Sequence, residues 1–110
     1  SCHVDHFIPY KLNPFLRNID SIWNMVLACP HCNNQKDGKF DKLPHKKYIE
    51  RLIQRNEFFV NSNLPLRNSI IQHTGITEES RRRYILSEYE KAGSYIFRTW
   101  ETEALQEPTF

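Results

Sequence analysis

The chain has 110 residues, a quarter of them charged, and a net charge of +2, which is the size of one domain with a modest core. Mean hydropathy is −0.66 and no apolar run approaches the roughly 20 residues that span a bilayer, so a chain that crosses a membrane as a helix is excluded. Three cysteines are an odd count and give no disulfide framework.

Two of those cysteines, Cys29 and Cys32, form a Cys-x-x-Cys pair, a pattern of metal or redox use in a reducing compartment. The charge total permits nucleic-acid binding without arguing for it. Positive charge is concentrated in "KDGKFDKLPHKK" and at Arg81, Arg82 and Arg83, where a solvated surface is the plain expectation. The N-terminal "SCHVDHFIP" has no secretory pattern and reads like the inside of a strand, so the chain is expected to be a fragment of a longer one.

"HVDHFIP" predicts a short strand with Val4, His6 and Ile8 on one face, Asp5 and Phe7 on the other, and Pro9 as its end. "YKLNPFLRNIDSI" predicts a loop, punctuated by Asn-Pro and Asn/Asp. "WNMVLAC" predicts a second extended segment. "PHCNNQKDGK" predicts a short helix, with Pro30 near its start and Gly38 as its stop. The rest reads as helical. Ile49, Leu52, Ile53 and Val60 fall near one stripe; Leu66, Ile70 and Ile71 precede a Gly75 cap. Thr77 can cap a longer helix with Glu78 and Glu79 in its first turn. Along that helix Ile85, Tyr89, Ala92, Ile96 and Trp100 keep helical spacing. These stripes predict core or a partner-facing surface and suggest no cofactor.

Asp5 and His6 are adjacent, so on a regular strand they face opposite ways. Asn24 precedes the second extended segment. Asn33 follows Cys32, and Lys36 comes one turn after Asn33 on the same helix face. Together these make D-H-x-x-P followed by W-N-x-x-x-x-C-x-x-C-N-x-x-K. That combination resembles the HNH endonucleases, the ββα-metal nucleases, over residues 4 to about 43.

The resemblance implies an α+β fold: a ββα-metal finger at residues 1–43 and an α-helical extension at residues 44–110, packed on the finger or following it. It implies a metal-dependent endonuclease acting on DNA. Hydrolysis of a phosphodiester needs a nucleophile made from water, a counter-charge for the phosphate and help for the leaving oxygen. His6 would be the general base, since imidazole accepts a proton near neutral pH. Asp5 and Asn33 would hold one divalent cation, Mg²⁺ with Mn²⁺ or Ni²⁺ as substitutes, through hard oxygen donors. Asn24 would link the strands and orient His6. Lys36 would contact phosphate, and Lys39, Lys42, Lys46 and Lys47 would track the DNA backbone.

Many relatives bind a structural zinc through two Cys-x-x-Cys pairs. Here Cys29 and Cys32 make only a half site, with Cys2 and His3 alone before Asp5. Either the first pair lies upstream of Ser1, or Cys2, His3 or His31 completes a different site, or no zinc is bound and the thiols pack as small apolar groups. Cys-Pro-His-Cys also matches a thiol-disulfide redox motif, but that chemistry needs a βαβ unit before it and strands after it.

Two other classes of function stand beside the nuclease. One is a non-catalytic nucleic-acid-binding module, which intact Asp5, His6, Asn24 and Asn33 argue against. The other is a structural helical domain of a larger enzyme braced by zinc. DNA is the expected partner, in a cytoplasmic, bacterial or phage-like setting; a homodimer or attachment to a larger chain is left open.

Overall fold

A computed structural model describes residues 3–28, 42–96 and 99–100. Strand β1, His3–His6, pairs antiparallel with β2, Met25–Ala28, placing His3 opposite Ala28 and His6 opposite Met25. The ribbon has a dry side and a wet side: Val26 is buried, while the facing pair Val4 and Leu27 is exposed. β1 stops at His6, earlier than expected. Phe7 and Ile8 are both fully buried, which a strand with one wet face cannot achieve for consecutive residues. Trp23 and Asn24, expected to begin the second strand, instead form one 3₁₀ turn, Ile22–Asn24.

The loop between the strands supplies much of the core. After Pro9 a 3₁₀ turn runs Tyr10–Leu12, and Leu12, Leu16, Ile19 and Trp23 are all buried. Their spacing is helical, but Pro14 removes a donor and Asn18 sits at φ 58°, a left-handed conformation that Asn tolerates. That turn aims the Asn18 carbonyl at the Trp23 indole, which donates to it at 2.7 Å.

Among the described residues three α-helices follow: α1 at Ile49–Asn61, α2 at Leu66–Thr74 and α3 at Glu78–Gly93. A 3₁₀ turn, Lys46–Tyr48, leads into α1, and the His45 ring accepts from the Lys47 N–H at its start. The predicted stripe Ile49, Leu52, Ile53 and Val60 is buried, with Asn56 and Glu57 on the same face. Gly75 ends α2 at φ +145°, and a Cβ there would meet Ser80 Oγ at 2.3 Å, so only glycine fits. Thr77 and Ser80 then form a reciprocal capping box at the start of α3.

α3 does not run on to Trp100. It stops at Gly93, and Thr99–Trp100 forms a short strand, β4, parallel to β3 at Leu43–Pro44. Ile96 is buried beyond the helix end, so its helical spacing from Ala92 serves the core from a non-helical turn. Buried apolar residues of the loop, β2 and all three helices join in one core.

The Arg81–Arg83 run is also not a plain solvated patch. Arg81 is buried and grips Glu57 of α1 through Nε and Nη2 at 2.7 and 2.8 Å, while its Nη1 donates to the Ile76 carbonyl. Arg82 makes a two-pronged pair with Glu50, and Arg83 pairs with Glu79 one turn back.

Candidate active site around His6 and Asn24

Asn24 is fully buried, and its amide is used at both ends. Oδ1 accepts from the Ile8 N–H at 2.9 Å, and Nδ2 donates to the carbonyls of Ile8 at 3.0 Å and Ile19 at 2.9 Å. Its own backbone N–H donates to the Ser21 carbonyl, and its carbonyl accepts from the Phe7 N–H at 2.7 Å. One residue thus ties the segment leaving β1 to the segment entering β2.

His6 is the last residue of β1. Its Nε2 lies 2.9 Å from Asp20 Oδ1, and the Tyr10 ring packs 5.2 Å from the imidazole at a tilted angle. The side chains of His6 and Asp20 are 22% and 52% exposed, so the pair is open to solvent from the Asp20 side. Pairing continues through Asp5 and His6 without a bulge, Asp5 opposite Val26 and His6 opposite Met25. Alternation therefore places the two neighbours on opposite faces at the ribbon's end. Both are partly buried.

The helical part reaches into this region. Arg55 of α1 donates through Nη1 to the Met25 carbonyl at 2.5 Å and through Nη2 to the Trp23 carbonyl at 3.0 Å. Asn56 Nδ2 donates to the same Trp23 carbonyl at 3.0 Å, and its Oδ1 accepts from Arg55. The carbonyls on either side of Asn24 are both held by α1. Burial pushes the Arg55 guanidinium down to about 10, which still leaves it protonated at neutral pH; its plane lies over Phe59 at 5.2 Å.

Of the other predicted site residues, Lys46 and Lys47 are exposed in the 3₁₀ turn that leads into α1, with the Lys47 ammonium 5.3 Å from the centre of the Tyr48 ring. Lys42 is partly buried. Cys29, Cys32, Asn33, Lys36 and Lys39, with the predicted short helix, lie outside the described residues. Among the described residues no three His, Cys, Asp or Glu side chains cluster as a metal site.

Asp20, Arg55 and Asn56 are contacts that sequence reading missed. Asp20 carries no local signal. Asn56 does: it falls on the apolar stripe of α1, where a polar side chain needs a partner.

The fold and this site thus define an α+β protein whose N-terminal ribbon presents a carboxylate-histidine step tied down by a buried asparagine. Residues 1–39, the segment that carries Asp5, His6 and Asn24, match the family described as HNH endonuclease. Comparison with curated proteins and with solved structures gave no match.

Proposed function

We propose that this chain hydrolyses phosphodiester bonds in DNA through an HNH site, with His6 as the general base. The observation that carries the reading is the Asn24 amide, buried and bonded on both sides, just beyond the strand that ends in His6. It gives the central asparagine of the motif a mechanical task, that of fixing the chain on which the base is mounted. A base must stay within hydrogen-bond reach of its water to be effective.

In this mechanism His6 takes a proton from the attacking water as the water oxygen bonds to phosphorus and the bond to the leaving oxygen breaks. Attacking and leaving oxygens lie roughly in line across the phosphorus. Neighbours that leave the ribbon end on opposite faces suit that arrangement, His6 serving one side and Asp5 the other. Asp5 and Asn33 offer a carboxylate and an amide oxygen, a donor set that fits a hard divalent cation such as Mg²⁺ or Mn²⁺. Such a cation, when bound, neutralises phosphate charge and stabilises the departing oxygen. The short helix expected at "PHCNNQKDGK" would complete the ββα layout and bring Asn33 and Lys36 to the phosphate. Cys29 and Cys32 would contribute two thiolates to a structural zinc, which needs two further ligands. Lys36, Lys39, Lys42, Lys46 and Lys47 would attract the DNA backbone, and binding would weaken steeply with salt.

The test is nicking of plasmid DNA in Mg²⁺, Mn²⁺ or Ni²⁺ by the wild type and by His6→Ala. The wild type should cut and the variant should lose at least about 100-fold in rate, within the range of a lost general base. Equal cutting by both removes His6 as base. Binding without cutting in every metal leaves a nucleic-acid-binding module in place of an enzyme.

A further inference from the structure

We infer that Asp20 is a positioning residue for His6, fixing the imidazole tautomer and ring orientation; the catalytic part of this inference rests on the nuclease reading above. The contact is direct, Nε2 to Oδ1 at 2.9 Å. A carboxylate only accepts, so the shared hydrogen belongs to Nε2 and the lone pair of the neutral ring belongs to Nδ1.

The pair is built rather than incidental. Asp20 sits between Ile19 and Ser21, and Asn24 holds the carbonyls of both, through Nδ2 and through its backbone N–H, each at 2.9 Å. The same Asn24 side chain holds both polar backbone groups of Ile8, two residues beyond His6. One buried residue thus fixes the backbone on both sides of the His6–Asp20 contact. The Tyr10 ring, in tilted contact with the imidazole, limits its rotation from a third direction. A solvent-open pair of this kind adds little to stability, whereas a carboxylate that fixes a histidine tautomer can matter greatly to its chemistry.

The experiment uses the full chain labelled with ¹⁵N-histidine, with His6 assigned by His6→Gln. Long-range ¹H–¹⁵N spectra are recorded at rising pH until the His6 nitrogen shifts stop changing, where the neutral tautomers are read directly. Wild type should show His6 with its hydrogen on Nε2. Asp20→Ala should shift the population toward Nδ1–H, and Asp20→Glu, which keeps an acceptor-only carboxylate, should hold more Nε2–H than Asp20→Ala. In plasmid nicking, Asp20→Ala should lower kcat about 10- to 100-fold, the usual loss when a group that orients a functional side chain is removed. KM for DNA should stay within about twofold, and Asp20→Glu should recover part of kcat.

An unchanged tautomer in Asp20→Ala overturns the inference. So does a changed tautomer with an unchanged kcat. A wild type that does not cut in any metal removes the nuclease reading, and the tautomer spectra still decide whether Asp20 governs His6.

Discussion

The side-chain amide of Asn24 and the backbone of Ile8 exchange two hydrogen bonds, as two residues of a β-ladder would. The ribbon proper ends at His6 and Met25. Beyond it a side chain takes over as the second strand, and the pairing persists for the stretch that follows the proposed base. Phe7 and Ile8 can then both turn into the core without leaving polar backbone groups unsatisfied.

Asn24→Ala removes three side-chain hydrogen bonds and strands the Ile8 N–H, the Ile8 carbonyl and the Ile19 carbonyl in a dry site. At about 1 kcal/mol or more for each buried group, the expected loss is on the order of 3 kcal/mol. Asn24→Asp keeps an acceptor for Ile8 but turns an oxygen toward two carbonyls, so it should be no milder. Urea unfolding measures both. A loss under about 1 kcal/mol for Asn24→Ala would show that water or a local shift replaces the clamp.

Arg55 offers a second route to the same place. Its guanidinium and the Asn56 amide bind the carbonyls that flank Asn24, so the helix α1 fixes the start of β2 from behind. Arg55→Met keeps most of the stem, loses the guanidinium's place over Phe59 and leaves the Met25 carbonyl without this donor. The expected destabilisation is about 1–3 kcal/mol. Amide exchange should quicken in β2 more than in α3. Uniform quickening would mean that Arg55 only supports the core at large.

Glu57 and Arg81 form an ion pair with side chains 9% and 7% exposed, between α1 and α3. Removing one partner leaves a buried charge without its counter-ion. Glu57→Leu alone should cost about 3–5 kcal/mol, while Glu57→Leu with Arg81→Met should recover much of that loss. Thermal unfolding of the two singles and the double gives the coupling. Additive losses would mean that the pair contributes no mutual stabilisation.

Much of the scaffold could be read from residue spacing. The stripe on α1, the Gly75 stop and the Thr77 cap each depend on neighbours within a few positions, and the structure places them there. Contacts across the chain were not legible in this way. Asp20 meets His6 because a loop folds its apolar residues inward, and nothing local to "NIDSIW" encodes the partner. Arg81 looks like its two neighbours in sequence, but α3 turns it toward Glu57 while the next two arginines reach surface carboxylates. Periodicity also overran the end of α3. Ile96 stays apolar because it is buried after the helix stops, and apolar spacing cannot distinguish that from a further helical turn.

The Glu50–Arg82 pair gives the fold a predictable acid response. The Arg82 guanidinium, with help from the Gln54 amide, pulls the Glu50 carboxyl down from 4.5 to about 2. A carboxyl whose folded value is depressed stabilises the fold above its unfolded value, and that contribution fades as pH falls through the folded value. The window therefore runs from about 4.5 down to about 2. Glu50→Gln keeps the shape and removes the charge. Its urea midpoint should lie below the wild type's at neutral pH and converge with it as pH approaches 2. Because both side chains are largely exposed, the gap should be small and should shrink in about 1 M salt, where the screening length is near 3 Å. At the alkaline end the sign reverses. Burial raises Tyr84 and Tyr89 from 10.0 to about 12, so their contribution is whole below 10 and is lost as pH climbs through 12. Near-ultraviolet tyrosinate absorbance should rise late in the native protein, and Tyr84→Phe and Tyr89→Phe should each remove part of that late rise. A native titration that coincides with the one in denaturant would refute the assignment for both rings.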